Sequence, residues 1–114
     1  MAITELYSGS AAISTTEVSA ATGTGGVSSI TTDGVFQAFL DVSDMIAGDQ
    51  LQIRVYEKAR SADTQRIVYQ AVLTGAQSEP IWVSPSLILM HGWDFTMDAL
   101  AGTITVNWSI RQVA

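Results

Sequence analysis

Apolar and polar residues alternate along two long segments of this chain, and this period of two restricts the possible folds more than any other feature. The segment "QLQIRVYEK" (50–58) places Leu51, Ile53 and Val55 on one side and polar residues on the other. The segment "TITVNWSIRQV" (103–113) alternates in the same way. Successive side chains of a strand point to opposite faces, so each segment predicts an antiparallel strand with one face in the core.

Shorter apolar segments between turn residues complete an all-β pattern, and helical periodicity does not extend beyond one or two turns. The other predicted strands of this region lie at 35–42, 66–75, 92–99 and, bent at Pro85, within 81–90. About seven or eight short strands at ~10-residue spacing predict an antiparallel β-sandwich of jelly-roll-like form. A closed barrel is the alternative.

The apolar faces of these strands predict the core of a sandwich domain that spans residues 34–114. Trp82 is out of phase with Ile81 and Val83, so it is the one tryptophan that is a candidate for exposure. The predicted core consists of Phe36, Leu40, Leu51, Ile53, Val55, Ile67, Trp93, Phe95, Ile104, Val106 and Trp108.

Residues 1–33 differ from the rest because Ser, Thr, Ala and Gly dominate and large apolar residues are sparse. One interpretation is a loosely ordered arm with short edge strands near 4–7 and 15–20. The other is an arm that orders only on a partner, since few buried side chains would offset its backbone entropy. The stretch "GTGG" (23–26) is interpreted as a hinge. In the second interpretation the partner-binding residues are Ile3, Leu6, Tyr7 and Ile13.

The composition argues against several classes of partner. Five Lys and Arg against eleven Asp and Glu give a net charge of −6, so direct nucleic-acid binding is not predicted. The absence of Cys fits synthesis in a reducing cytoplasm, and we expect neither a secretory signal nor a membrane span of ~20 residues. With only 14% charged residues, the surface suits a protein that packs against neighbours.

Three acidic residues, Asp41, Asp44 and Asp49, form the densest acidic cluster of the chain. An EF-hand loop needs oxygen ligands at alternate positions and a closing Glu, and this spacing provides neither. Ser43 can cap a helical turn and Gly48 can end it in the left-handed conformation. We therefore predict a single helical turn between two strands and no metal site.

Catalytic patterns are weak. His91 is the only histidine, and no Ser lies in a Gly-x-Ser-x-Gly elbow that would complete a triad with it. The carboxylates available for glycoside cleavage lack any constraint on their separation; they are Glu57, Glu79, Asp94 and Asp98. We predict neither an enzyme nor a cofactor.

The segments "LDVSDMIAGDQLQIRVYEK", "AQSEP" and "WSIR" belong to a region, roughly 34–113, that resembles small virion structural proteins of tailed bacteriophages. The resemblance implies a β-sandwich that decorates the outer surface of the capsid after synthesis in the host cytoplasm. It also implies the major capsid protein and copies of the chain itself as partners, with a trimer as one option. The alternatives are a tail or head-completion position in the virion, or a carbohydrate-binding β-sandwich module.

Overall fold

A computed structural model describes residues 2–113, which form strands and no helix. The predicted all-β class is therefore confirmed. The nine strands are β1 (Ile3–Ile13), β2 (Val18–Ser19), β3 (Gly34–Asp41), β4 (Gln50–Glu57), β5 (Arg66–Thr74), β6 (Ile81–Val83), β7 (Leu87–Leu89), β8 (Asp94–Ala101) and β9 (Ile104–Val113).

The strands form two sheets in which every pairing is antiparallel. Sheet A has the order β1-β9-β3-β6, and β7 also pairs with β3. Sheet B has the order β2-β8-β4-β5. The apolar faces of the two sheets form one core, as the prediction of an antiparallel β-sandwich requires.

The core is centred on Trp93, which precedes β8. Its ring centroid lies 4.2 Å from that of Phe36 and 5.9 Å from that of Phe95. Edge-to-face and tilted contacts of this kind stabilise aromatic clusters beyond the area that they bury. All predicted core residues are buried except Ile67.

Ile67 is 46% exposed because a β-bulge reverses the phase of β5. Val55 pairs with Tyr69, but the next residue, Tyr56, pairs with Ile67, so that Val68 is the extra residue. A bulge inserts one residue into one strand, and side chains on its two sides follow different phases. Ile67 therefore shares the outer face with Tyr56, and its assignment to the core was wrong.

The predicted arm forms strands with both sheets. β1 pairs with β9 from Ile3 opposite Val113 to Ile13 opposite Ile104, and β2 pairs with β8. β1 is much longer than the edge strand expected near 4–7, whereas β2 lies within the predicted 15–20. The small residues of β1 let it pack closely on β9. Gly9 lies opposite Trp108, and the Trp108 ring occupies the space that a side chain at position 9 would need.

Residues 42–49 form two tight turns instead of the predicted single helical turn. The Met45 N–H donates to the Val42 carbonyl, and the Asp49 N–H donates to the Ile46 carbonyl. Gly48 has the predicted positive φ, +92°. The predicted Ser43 cap was wrong, because the Ser43 backbone N–H instead donates to the Asp41 side chain. These turns connect β3 of sheet A to β4 of sheet B.

Candidate interaction surface

The solvent-facing side of sheet A carries a row of aliphatic residues that crosses four strands. Ile3 of β1 lies opposite Val113 of β9, which lies opposite Val35 of β3, which in turn lies opposite Ile88 of β7. Ile3 is 68% exposed and Ile88 is 80% exposed. Contiguous apolar side chains on a solvent-facing sheet are typical of an interaction surface.

Phe39 extends this surface toward β6. It lies opposite Val83, and Ile81 follows on the same side of β6. The Arg111 guanidinium carbon lies 3.8 Å from the Phe39 ring centroid, which is a cation–π contact. We call this surface the sheet A face; it consists of Ile3, Val35, Phe39, Ile81, Val83, Ile88, Arg111 and Val113.

A groove of about 160 Å³ runs across the sheet A face. Its lining includes Ile3, Val35, Phe39, Arg111 and Val113. The groove therefore combines apolar walls with one cation, an arrangement that fits an apolar side chain next to a carboxylate.

The rim of this face carries Glu5, which lies opposite Arg111 on the neighbouring strand. The Ser109 hydroxyl donates to the Glu5 carboxylate at 2.6 Å. This hydrogen bond, then one from Ser8 and the nearby Arg111 charge, hold the pKa of Glu5 below its ordinary value. The rim thus keeps both a negative and a positive charge at neutral pH.

The four predicted partner-binding residues lie in different environments. Ile3 is exposed on the sheet A face, whereas Leu6 and Tyr7 are half-buried against the core. The Tyr7 ring centroid lies 6.4 Å from that of Trp93. Ile13 is fully buried inside the chain itself and cannot contact a partner in this conformation. Of the four, only Ile3 joins the exposed aliphatic row.

Sequence reasoning missed a polar cluster on the outer side of sheet B. Glu17, between β1 and β2, accepts hydrogen bonds from the Tyr56 hydroxyl at 2.6 Å and the Thr96 hydroxyl at 2.5 Å. The Glu17 carboxylate also lies 3.5 Å from the Arg54 guanidinium, which donates a hydrogen bond to the side-chain oxygen of Gln52. The signal was present in the alternation, since β4 and β8 place polar residues on one common face.

The electrostatics of Glu17 favour its charged form. Burial alone would raise its pKa, but the hydrogen bonds from Thr96 and Tyr56, together with the Arg54 charge, outweigh burial and lower the pKa. The same burial and the bond to Glu17 raise the pKa of Tyr56. The cluster therefore holds a carboxylate that stabilises the junction of β2, β4 and β8.

Two of the predicted carboxylates, Asp94 and Asp98, are buried along β8 and have raised pKa values, chiefly because of burial. Asp94 accepts a hydrogen bond from the Ser28 backbone N–H at 2.8 Å. One oxygen of each carboxyl has no hydrogen-bond partner. Because Asp94 is 0% exposed, a substrate cannot reach it in this conformation.

The other predicted acidic residues hold backbone amides. Asp41 accepts from Ser43 at 3.0 Å, Asp44 from Thr105 at 2.8 Å and Asp49 from Ile46 at 3.0 Å. Within residues 2–113, no three His, Asp or Glu side chains are arranged to hold a metal ion.

Glu57 ties the end of β4 to the loop before β8, because its carboxylate accepts from the backbone N–H groups of Met90 and His91. His91, the candidate triad residue, is half-buried at this junction. Glu79, the remaining candidate, lies exposed in the loop between β5 and β6. The sequence-predicted carboxylates are thus dispersed over the molecule.

The three tryptophans do not form an exposed platform for sugars. The ring N–H of Trp93 donates to the Thr32 carbonyl, and that of Trp108 donates to the Ala20 carbonyl. Both rings are buried. Trp82, the one candidate for exposure, lies opposite Leu40 on the inner side of sheet A and is half-buried against the core.

Comparisons with protein-family models, curated proteins and solved structures find no match to this chain. A search for membrane-spanning helices among residues 2–113 is likewise negative.

Proposed function

We propose that this chain is a non-enzymatic structural protein of a tailed-phage virion that decorates the head by binding the major capsid protein. The aliphatic row from Ile3 to Ile88, on the solvent-facing side of sheet A, is the observation that carries the proposal. The resemblance of residues 34–113 to virion structural proteins supplies the class of partner.

The sheet A face has the chemistry of a protein–protein contact. Its Phe39–Arg111 pair belongs to the residue types that are enriched at interface hot spots, and polar residues such as Glu5 and Ser109 border it. A capsid presents the same site many times, so modest contacts at each position add to a large total avidity when the copies also contact one another. A decoration protein of this kind stabilises the shell by spanning the seams between capsomers.

A tail or head-completion position would use the same face against a different virion protein, and it remains within the proposed class. The carbohydrate-binding alternative has no supporting observation, because Trp93 and Trp108 are buried and Trp82 faces the core.

The test measures binding of the purified chain to undecorated, expanded heads of the phage that encodes it. We expect saturable binding, and we expect Phe39→Ser or Ile88→Lys to weaken it at least ~10-fold by removing apolar contacts of the sheet A face. Ile46→Lys is the matched control, because Ile46 is exposed in the 42–49 turns and outside the sheet A face.

Antibody labelling of intact virions identifies the position of the chain. Labelling on the head supports decoration, and labelling confined to the tail overturns it. Wild-type binding by both face variants would also overturn the proposed role of the sheet A face.

A further inference from the structure

Strand β5 forms an open edge of sheet B. It pairs with β4 on one side and with no other strand among residues 2–113. Ile67, Val68 and Val72 are exposed along it. The other edge of sheet B is β2, which has only two residues. A long edge strand presents unpaired backbone groups that can pair with another chain.

The usual protection of edge strands is weak in β5. Its nine residues, "RIVYQAVLT", contain no Pro, Gly or acidic residue, and Arg66 is the only charge. The bulge at Val68 affects only the first part of the strand. Residues 69–74 therefore offer a regular segment for pairing.

The two ends of β5 carry opposite charge. At its beginning, Lys58, Arg60 and Arg66 outnumber Glu57 and Asp63, so that residues 57–66 have a net charge of +1. Glu57 lies opposite Arg66, and the Asp63 carboxylate lies 2.9 Å from the Arg60 guanidinium. At its other end, the Gly75 N–H donates to the carbonyl of Asp49, which closes the acidic turn.

The acidic end contains no cation within residues 41–50 or 74–80. Its carboxylates are Asp41, Asp44, Asp49 and Glu79.

We propose that β5 pairs antiparallel with β5 of a second copy about a two-fold axis, so that the two four-stranded sheets become one of eight strands. Centring the pair on Val72 keeps it within the regular segment and brings Val72 opposite Val72, and Gln70 opposite Thr74, of the second copy on the outer face. The antiparallel arrangement also brings the cationic hairpin of each copy to the acidic turn of the other. A parallel pairing would bring like charges together, and it is therefore disfavoured.

This inference does not depend on the proposed function, because the β5 edge and the sheet A face are separate surfaces. The chain has no Cys, so a single introduced Cys reports proximity cleanly. Val72→Cys lies beside the two-fold axis and should form a disulfide-linked dimer under mild oxidation. Ser10→Cys is the matched control, since Ser10 is similarly exposed on β1, the edge strand of sheet A.

Sedimentation equilibrium provides the second measurement. We expect the wild-type chain to dimerise below about 100 μM, and we expect Val72→Lys to raise the dissociation constant at least ~10-fold by placing two cations in the pair. Ile88→Lys should dimerise like the wild type although it is expected to bind shells poorly. Val72→Lys should keep its circular dichroism spectrum, because Val72 is already exposed.

The inference is overturned if the wild-type chain stays monomeric up to that concentration, or if Val72→Lys dimerises as the wild type does. Equal cross-linking of Val72→Cys and Ser10→Cys would overturn it as well. A variant that loses shell binding but still dimerises tests the sheet A face and leaves the β5 dimer unaffected. The two proposals can therefore be overturned independently.

Discussion

Gly9 lies directly opposite Trp108 on the neighbouring strand, and a Cβ atom added to Gly9 would lie 2.6 Å from Cζ2 of the Trp108 ring. No side chain fits this space unless the buried ring moves. The Trp108 ring is held in place by the bond from its N–H to the Ala20 carbonyl, at 2.8 Å. Strand β1 therefore packs closely against Trp108, a core residue near the other end of the chain.

Gly9→Ala should therefore lower the free energy of unfolding by about 1–3 kcal/mol, because the added methyl group overpacks the contact with Trp108. Urea denaturation measures the change. Ser10→Ala, the exposed neighbour on the same strand, should change stability by no more than ~0.5 kcal/mol. Equal stability of Gly9→Ala and the wild type would show that the Trp108 ring moves aside at little energetic cost.

Trp108→Ala should cost about 3–5 kcal/mol, because it removes a buried ring and leaves a cavity. Trp108→Phe should cost less, since it keeps most of the volume and loses the hydrogen bond to Ala20. Both values come from chemical denaturation. A loss below ~1 kcal/mol for the Ala variant would place the ring outside the core.

Ile13 and Ile3 lie at opposite ends of β1 and should respond differently to truncation. Ile13→Ala should cost about 2–5 kcal/mol because Ile13 is fully buried, whereas Ile3→Ala should cost less than ~0.5 kcal/mol. Thermal and urea denaturation of both variants provide the comparison.

Removal of residues 1–26 should strongly destabilise the remaining sandwich, because it strips β1 from β9 and uncovers Trp108. Composition alone suggests the opposite outcome, an unchanged melting temperature. Calorimetry of the truncated chain distinguishes the two, and a melting temperature equal to that of the intact chain would show that the sandwich folds without β1.

Asp94 should make stability fall as the pH rises. Burial raises its pKa in the folded chain above the unfolded value, so its favourable contribution is present at low pH and is lost as the pH passes the folded pKa. Asp94→Asn keeps an acceptor for the Ser28 N–H and removes the buried charge. We expect the free energy of unfolding of this variant, relative to that of the wild type, to increase from about pH 4 to about pH 7. Denaturation at both pH values measures the difference, and a constant difference would contradict the assignment.

Glu17 should have the opposite dependence. Its lowered pKa means that its contribution is present above the unfolded pKa and is lost as the pH falls through the folded pKa. Glu17→Gln should cost about 1–3 kcal/mol at pH 7, because the Tyr56 and Thr96 hydroxyls lose a charged acceptor. Denaturation at neutral and acidic pH measures this, and the deficit should shrink toward pH ~3. A deficit that does not change with pH would show that the carboxylate charge is unimportant there.

Strand β4 and strand β9 were predictable because a period of two is a local property. Ile53 and Val55 face the core for the same reason that Arg54 does not, and no distant residue is needed to explain it. The conformation of Gly48 was predictable on similar grounds, because a turn that needs positive φ selects glycine.

The sequence by itself thus determined the all-β class, the sandwich and ten of the eleven core residues that were predicted from it. Tertiary structure alone decided the role of residues 3–30, because β1 is held by β9 and Gly9 meets Trp108 far along the chain. It also decided the outward position of Ile67, which depends on a bulge against β4, and the association of Glu17 with β4 and β8. Alternation specifies which way a side chain points within one strand, but only the pairing of strands specifies what that side chain meets.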